Sequence, residues 1–406
     1  MNVGIVTTWF ERGAAMVSRA YREVLEPTHK VYIYARGGEQ FARGDPNWDG
    51  DYVTWGREVH GFRWTGFHWR EFKRWAESRR LDLILFNEQS DWSQVVFARR
   101  ETAPLLATYV DYYTSKTVGL FGLFDLLLCN TRRHYSVFRD HPGALYIPWG
   151  TDCSLFQAST EPAEERGVVF FHSAGWDPIR KGTALALEAF HGLEANSRFV
   201  LHTQVPLRNY PRVEEIARKD ARIEVIEKTV TAPGLYHRGD VYVYPTLLEG
   251  IGLSIVEALA CGLPVITTDC PPMSEFVEEG KNGRLVKPYE YRGRYDGYYW
   301  AESYCRAEDV REAMRHYVER RSDLGAFKEA ARRYAVEHLD WKKNAAGLPR
   351  ILEEAVRKGR RTGDFAALEE EALDTTYLRG WRRVLRSGLR RLGLARHRAA
   401  EWMIFK

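Results

Sequence analysis

The amino-acid sequence predicts an α/β protein with two Rossmann-like domains that face a central cleft, followed by a helical C-terminal extension. Three observations support this prediction. The chain has 406 residues, which exceeds what one hydrophobic core usually covers. Both halves alternate short apolar runs with amphipathic helical patterns, which is typical of βαβ units and a parallel sheet. From about residue 305 onward the pattern becomes helical and charged.

Short apolar runs mark the expected strands of both domains. In the first half they cover residues 3–7, 30–35, 81–86, 105–110, 123–129 and 145–148. In the second half they cover residues 167–172, 198–202, 222–226, 240–244, 264–267 and 284–286. Amphipathic stretches such as residues 182–193 and 254–261 predict helices between them. Because open parallel sheets bind ligands beyond the carboxyl ends of their strands, functional residues are expected on strand-to-helix loops.

The chain is expected to divide into three parts. Residues 1–150 form the first domain, residues 151–340 the second, and residues 341–406 a set of C-terminal helices. The second part begins with TDCSLFQASTEPAEERG, whose Pro, Ser and Glu content is typical of an interdomain linker.

Composition favours a globular protein of the cytoplasm. Hydrophobic residues make up 45% of the chain and charged residues 28%, as in soluble domains. No apolar run reaches the eighteen or so residues needed to cross a bilayer, and the start MNVGIVTTWF has no basic leader region. The five cysteines show no CxxC spacing, so we expect reduced, mostly buried thiols and no zinc site.

The basic charge of the chain is concentrated near its end. Residues 377–406 carry eight Arg, one Lys and one Glu, a net charge of +8, which leaves −4 for the rest of a chain whose total is +4. One helical face of this tail is apolar and contains Trp381, Val384, Leu385, Leu389 and Leu392. Such a helix can lie on an anionic membrane surface, or it can pack on the first domain. Nucleic-acid binding is not expected, because no reading motif accompanies the charge.

The stretch from Val241 to Asp269, VYVYPTLLEGIGLSIVEALACGLPVITTD, carries the clearest chemistry. A strand leads into a loop containing Glu249, and a helix that begins near Leu253 holds Glu257. Helical side chains lean toward the helix N-terminus, so Glu257 is expected to point back toward the loop. Free N–H groups at a helix start bind phosphate, and flanking carboxylates suit hydroxyl-rich groups. The alternative is a loop–helix element whose glycines only permit tight packing.

The run EGIGLSIVE from Glu249 to Glu257, followed by ALACGLPV, resembles the glutamate–seven residues–glutamate signature of family 4 retaining glycosyltransferases, which have the GT-B fold. In that family the first glutamate contacts hydroxyls of the donor sugar and the second binds the nucleotide ribose. Backbone amides between them hold the diphosphate and the sugar. The resemblance implies these roles for Glu249 and Glu257. It assigns the backbone contacts to Gly250, Ile251, Gly252, Leu253 and Ser254.

A second segment, FFHSAGWDPIRKG followed by TALALEAF, resembles the family's strand, loop and Lys-Gly helix start, where a basic pair holds the donor phosphates. Lys181 matches the family's lysine. Trp176 replaces the arginine usually found about five residues earlier, and Arg180 is the natural substitute because its planar fork suits phosphate. The alternative is a solvated basic loop. Glu275 and residues 282–286 also resemble family segments.

The first domain, which holds the acceptor in this family, resembles it less closely. Gly13 is the one glycine in the loop after the first strand, where the family has a glycine-rich loop facing the donor phosphate. Asp111 matches the acid of the family's His-Asp dipeptide, but Val110 replaces the histidine. For Asp111, a substrate role and a role as a strand-end or helix N-cap are equally open. Nucleobase contacts are expected around Thr229, largely through the backbone of residues 227–231.

Aromatic residues are frequent in two regions. Those of the first half are expected mostly in the core, although a flat ring also suits a sugar face; they are Trp48, Trp55, Trp64, Phe67, Trp69, Trp75 and Trp92. A second, polar cluster at residues 289–300 is interpreted as a loop near the cleft. Asp49-Gly-Asp51 has the Asp-x-Asp form that binds a metal-nucleotide in another glycosyltransferase fold. Its Gly/Pro/Asp-rich surroundings favour a turn, so no metal and no cofactor are predicted.

The resemblance implies a metal-independent retaining glycosyltransferase that moves a sugar from a nucleoside-diphosphate sugar to a hydroxyl of a glycan, lipid-linked or other acceptor in cell-surface glycan biosynthesis. The residues assigned to the reacting centre are Glu249, Lys181, Arg180 and Asp111. The C-terminal helices are expected to cross back to the first domain. Two alternatives stay open: a phosphorylase- or synthase-like enzyme of the same fold, and a non-catalytic nucleotide-sugar-binding partner of a glycan assembly complex.

Overall fold

The computed structural model describes residues 1–36, 42–57, 66–158, 167–193 and 196–375. Two parallel sheets of seven and six strands follow one another along the chain. The predicted architecture of two Rossmann-like domains with a helical C-terminal region is therefore confirmed.

The first sheet has the strand order β3-β2-β1-β4-β5-β6-β7. Its strands are β1 (Asn2–Thr7), β2 (Lys30–Ala35), β3 (Val53–Trp55), β4 (Leu83–Phe86), β5 (Leu105–Tyr109), β6 (Leu126–Cys129) and β7 (Ala144–Tyr146). The helices around it are α1 (Gly13–Leu25), α2 (Trp69–Ser78), α3 (Trp92–Glu101) and α4 (Arg132–Phe138). The sequence missed β3, because an edge strand of three half-buried residues has no apolar run to reveal it.

The second sheet has the strand order β10-β9-β8-β11-β12-β13. Its strands are β8 (Val168–Gly175), β9 (Ser197–Thr203), β10 (Ile223–Glu227), β11 (Val241–Tyr244), β12 (Val265–Thr268) and β13 (Gly283–Val286). The helices that connect them are α5 (Thr183–His191), α6 (Pro211–Lys219) and α7 (Leu253–Ala260). All six strands expected in this half are present. Strands such as β4 and β11 are buried along their whole length, which explains their continuous apolar sequence.

An antiparallel hairpin, β14 (Glu290–Arg292) and β15 (Glu302–Tyr304), follows the second sheet. The expected loop at residues 289–300 is therefore partly wrong, because its first residues pair as a strand. The later helices are α8 (Ala307–Glu319), α9 (Leu324–His338), α10 (Trp341–Asn344) and α11 (Leu348–Lys358).

The chain after α9 returns to the first domain at Trp341. The backbone of Trp341 donates to Thr151 O at 3.0 Å, and its indole Nε1 donates to Ala20 O at 2.9 Å. Its ring lies 4.6 Å from that of Trp149. Farther along, Arg361 donates to Phe124 O at 3.0 Å. The predicted basic helix at residues 377–406 lies outside the described residues.

Most first-half aromatic residues lie in the core, as expected. Trp48, Phe67, Trp75 and Trp92 are buried, whereas Trp69 is exposed; Trp64 lies outside the described residues. All five cysteines are free thiols, and four of them are buried, which agrees with the expectation of mostly buried thiols. Among the helices that the structure describes, none is long and apolar enough to cross a bilayer.

Candidate active site

The carboxyl ends of the two sheets face each other across the cleft, and loops from both domains touch there. The start of α1 meets the start of α7, since a Cβ added to Gly13 would lie 3.6 Å from Leu253 Cδ1. A Cβ added to Gly250 would overlap Asp111 Oδ1. The structure thus brings four of the predicted site residues from the two halves of the sequence to one place.

Glu249 is the centre of a buried ionic cluster on the second domain. The loop after β11 carries Glu249, and the loop between β8 and α5 supplies both cations. Glu249 Oε1 accepts from Lys181 Nζ at 2.7 Å and lies 3.2 Å from a terminal nitrogen of Arg180. Thr246 Oγ1 at 2.7 Å and Tyr244 Oη at 3.0 Å also donate to this oxygen. Oε2 makes no hydrogen bond within the described part of the chain.

Two cations face one carboxylate in this cluster. This arrangement shifts the pKa values of both Glu249 and Lys181. Burial alone would raise the pKa of Glu249, but Lys181 and Arg180 outweigh it and lower that pKa to about 2. Burial and the neighbouring Arg180 lower the pKa of Lys181 to about 8, against the attraction of Glu249. All three groups are therefore charged at neutral pH, and the cluster carries one net positive charge.

The start of α7 offers backbone N–H groups to the cleft. Gly252 precedes the helix with φ of +95°, a left-handed conformation that favours glycine, and no side chain among the residues that the structure describes caps the helix start. The first N–H groups of a helix have no intrahelical partner. The predicted backbone contacts from Gly250 to Ser254 therefore lie at an anion-binding helix terminus beside the positive cluster.

Glu257 lies deeper in α7 and has a different partner from Glu249. Its Oε2 accepts from Tyr236 Oη at 2.5 Å, and burial raises its pKa. Tyr236 belongs to a short 3₁₀ helix between β10 and β11. Thr229 is exposed in the loop that leads from β10 to this helix. Glu257 thus contacts the segment that links β10 to β11, which also contains Thr229.

Asp111 comes from the first domain, directly after β5 and Val110. The next helical turn begins at Gly119, so the interpretation of Asp111 as a helix N-cap is wrong. Burial, reinforced by Glu88, raises the pKa of Asp111 to about 7. Val110 is fully buried in the core, so the position of the family's histidine offers no polar group.

His134 links the two domains, and no sequence motif pointed to it. His134 Nε2 lies 3.0 Å from Gly250 O, and a carbonyl only accepts, so Nε2 is the protonated nitrogen. His134 Nδ1 then accepts from Tyr113 Oη at 2.9 Å, and Tyr113 Oη accepts from Trp300 Nε1 at 2.7 Å. Burial lowers the pKa of His134 to about 4, which keeps the ring neutral.

The segment between β14 and β15 reaches from the second domain to the first. Tyr298 Oη donates to Asp111 O at 3.1 Å, and Tyr299 N donates to Tyr113 O at 2.9 Å. The rings of Tyr112 and Tyr298 stack at 5.4 Å. The interpretation of this segment as lying near the cleft is confirmed.

The remaining predicted residues have local roles. Trp176 is 57% exposed, and Arg180 occupies the cluster as the substitution suggested. Glu275 accepts from the backbone N–H groups of Arg132 and Arg133 at the start of α4. Asp49 accepts from Gly50 N and Trp55 Nε1, which supports the turn interpretation. Within the described residues, no group of three or more His, Cys, Asp or Glu side chains could hold a metal ion.

Comparison with known proteins agrees with this geometry. Residues 166–293 match the family described as Glycosyl transferases group 1. D-inositol 3-phosphate glycosyltransferase of Rhodococcus opacus is 32% identical over 152 residues, 34% of this chain and 30% of that protein. The GtfA subunit of the UDP-N-acetylglucosamine–peptide N-acetylglucosaminyltransferase of Streptococcus pneumoniae is 40% identical over 255 residues, 53% of this chain and 48% of that protein. The chain therefore spans less than half of the length of each of these relatives.

Solved structures share the fold over most of the chain. Anabaena HepE in complex with UDP and glucose has a TM-score of 0.69 at 17% identity and covers 87% of this chain and 100% of its own. Sucrose-phosphate synthase from Thermosynechococcus elongatus has a TM-score of 0.69 at 14% identity and covers 88% and 100%. The pneumococcal O-GlcNAc transferase GtfA in complex with UDP and GlcNAc has a TM-score of 0.65 at 14% identity and covers 88% and 99%. These likenesses establish the GT-B fold.

Proposed function

We propose that this protein is a retaining glycosyltransferase that transfers a sugar from a nucleoside-diphosphate sugar to a hydroxyl of a glycan or lipid-linked acceptor. One observation carries the proposal: the buried Arg180–Lys181–Glu249 cluster lies beside the uncapped start of α7, at the carboxyl edge of a parallel sheet. That combination is suited to a diphosphate attached to a hydroxyl-rich group. The match to Glycosyl transferases group 1 and the UDP-bound structures of the same fold support it.

The cluster suits a leaving diphosphate. Negative charge grows on the phosphate as the bond to the sugar breaks, and preorganised positive groups stabilise that charge most effectively in a site shielded from water. Lys181, Arg180 and the α7 amides supply such groups without a metal ion. We therefore extend the proposal to a metal-independent reaction.

Glu249 is suited to orient the donor sugar rather than to attack it. Its Oε1 is held by four donors, whereas its Oε2 makes no hydrogen bond within the described residues and is available to sugar hydroxyls. In the proposed step the acceptor oxygen bonds to the anomeric carbon on the face that the diphosphate leaves. The acceptor's proton passes to the leaving phosphate oxygen. The product should keep the donor's anomeric configuration, which NMR of the product determines.

Glu257 and the loop around Thr229 are suited to the nucleoside. A carboxylate accepts hydrogen bonds from both ribose hydroxyls, and Glu257 lies within α7, next to Tyr236. The backbone around Thr229 is then expected to contact the base. Gly13, at the start of α1, faces the same helix terminus from the other domain.

The proposal is tested by calorimetric titration with UDP, GDP, ADP, dTDP and CDP. We expect one nucleotide to bind with a Kd on the order of micromolar. Glu257→Gln should weaken that binding about 10- to 100-fold, because charge-assisted hydrogen bonds to the ribose are lost. Glu215→Gln is the matched control, since Glu215 is an exposed residue of α6 paired with Lys219. A folded protein that binds none of the five nucleotides would contradict the proposal and favour the phosphorylase-like alternative.

A further inference from the structure

The loop after β4 holds Glu88 in an unusual backbone conformation at the cleft edge of the first domain. Glu88 has φ of +51°, a left-handed conformation that residues with a Cβ rarely adopt. Arg36 stabilises it, because its guanidinium donates to Asn87 O at 3.1 Å and to Glu88 O at 3.0 Å. Arg36 is only 2% exposed. A buried cation thus fixes the backbone that presents the Glu88 carboxylate.

Hydrogen bonds donated by their nitrogen atoms fix the orientation of two side-chain amides beside Glu88. Asn87 Nδ2 donates to Ala14 O at 2.7 Å, and Gln89 Nε2 donates to Asp91 O at 3.0 Å. Because these carbonyl partners only accept, neither amide can be flipped.

The oxygen atoms of these amides lack partners. Asn87 Oδ1 and Gln89 Oε1 have no hydrogen-bond partner among the described residues, and neither has Thr8 Oγ1. The three side chains are 2%, 8% and 0% exposed, respectively. Buried polar atoms are seldom left unpaired in proteins. These three oxygens therefore retain the capacity to accept hydrogen bonds from the donor groups of a ligand.

Strand register places these groups at one edge of the sheet. Val6 of β1 is level with Phe86 of β4, and Phe86 is level with Thr108 of β5. Thr8, Asn87, Glu88, Gln89 and Asp111 therefore follow directly on the ends of three neighbouring strands. The influence of Glu88 on the pKa of Asp111 agrees with their proximity.

Three cations near this edge are already engaged: Arg36 by the backbone carbonyls of Asn87 and Glu88, and Arg180 and Arg294 by other carboxylates. Arg294 is paired with Asp296 at 2.6 Å, and Arg180 is paired with Glu249. Hydrogen-bond acceptors therefore predominate along this edge. A phosphate placed there would meet the carboxylates of Glu88 and Asp111, whereas hydroxyl groups can donate to every oxygen of the set.

We propose that this edge binds the acceptor, and that the acceptor unit is uncharged and rich in hydroxyl groups, a sugar or polyol without a phosphate beside the accepting hydroxyl. The binding residues are Thr8, Asn87, Glu88, Gln89 and Asp111. This inference rests on the proposed transferase function and specifies the acceptor class of the same site. A neighbouring phosphate would be repelled by the same carboxylates that orient the hydroxyls.

The acceptor class is tested with an array of immobilised neutral, phosphorylated and sialylated glycans, probed with the protein saturated with the nucleotide that the titration selects. We expect binding to neutral glycans and at least tenfold weaker binding to their phosphorylated counterparts. Preferential binding to anionic glycans would overturn the inference. So would binding to no glycan at all by a protein that still binds its nucleotide.

Two variants test whether the glycans on the array bind at this edge of the protein. Glu88→Gln and Gln89→Met should each weaken binding to the neutral glycans about tenfold, because each loses a hydrogen bond at nearly constant volume. Glu77→Gln is the control, because Glu77 is exposed near the end of α2. This end of α2 lies at the amino edge of the sheet, since Arg79 O, just after the helix, accepts from Nδ2 of Asn2, the first residue of β1. Unchanged glycan binding in both site variants would overturn the inference.

Nucleotide titration of the same proteins separates the two hypotheses. The Kd for the nucleotide should stay within a factor of two in Glu88→Gln, since Glu257, Lys181 and Arg180, which are proposed to bind the nucleotide, lie on the second domain. Failure of the transferase proposal appears as loss of nucleotide binding by the wild-type protein. Failure of the acceptor proposal appears as intact nucleotide binding with the wrong glycan preference.

Discussion

The two edges of the cleft have the same topology and opposite chemistry. In both domains the strand order reverses beside the first strand, between β1 and β4 and between β8 and β11. The edge of the second domain carries Arg180, Lys181 and the uncapped start of α7, which are cationic or donate hydrogen bonds. The edge of the first domain carries Glu88 and Asp111 together with amide oxygens that have no hydrogen-bond partner in the described part of the chain.

The contrast between the two edges lies in their loops and not in their sheets. The central strands of both sheets are buried and apolar, so they offer little chemistry to a ligand. Loops at the carboxyl ends vary freely while the fold is kept. On the proposed function, the donor-rich edge holds the leaving diphosphate and the acceptor-rich edge holds a hydroxyl nucleophile.

The largest expected effect comes from removing a cation of the donor edge. Lys181→Met should lower kcat by about 10²- to 10³-fold, since a preorganised charge that faces the developing diphosphate is lost. The protein should stay folded, because Arg180, Thr246 and Tyr244 still bind the Glu249 carboxylate. Steady-state kinetics with the nucleotide sugar measures the effect. Lys219→Met, on the exposed face of α6, is the control, and an equal loss in both variants would contradict the assignment.

A somewhat smaller effect is expected where the two edges touch. Gly250→Ala should lower kcat by about 10²-fold, because the new Cβ overlaps Asp111 Oδ1 and separates the edges by a fraction of an ångström to an ångström. The decisive comparison is made in the Asp111→Ala variant. There Gly250→Ala should lower kcat much less, because the carboxylate that the new Cβ would overlap is absent. Gly325→Ala in α9 is the control, because a Cβ there meets no atom within 4 Å. Equal losses in both backgrounds would contradict the contact.

The smallest expected effect is a dependence of nucleotide affinity on pH. Because the pKa of Lys181 is lowered to about 8, its charge is present below pH 8 and lost above it. The Kd for the diphosphate should therefore rise above pH 8, by at most about tenfold per pH unit. Calorimetry between pH 6.5 and 9.5 measures this slope.

Lys181→Arg tests the origin of the slope. The guanidinium of this variant stays charged between pH 6.5 and 9.5. Its affinity for the nucleotide should therefore no longer fall above pH 8. A decline that persists in this variant would belong to another group. Asp111, whose pKa is raised to about 7, is the first candidate.

Much of the second domain could be predicted from the sequence alone. Its central strands stand out because buried parallel strands require continuous apolar runs. The loop and helix from Glu249 to Glu257 are adjacent in sequence, so their spacing already places both carboxylates at one helix start. Less of the first domain could be predicted from the sequence. Its edge strand β3 has no apolar run, and the oxygen-rich loop of residues 87–89 has no motif.

The sequence by itself determined the alternation of strands and helices, the two-domain fold and the helix start that follows Glu249, because each depends on local periodicity and spacing. Tertiary structure decided which side chains meet. Arg180 and Lys181 share one oxygen of Glu249 across 68 or 69 positions of sequence, and His134 reaches the Gly250 carbonyl across 116. Such contacts depend on how two separately wound sheets dock and on which loops their carboxyl ends bring together, and no local pattern encodes that docking.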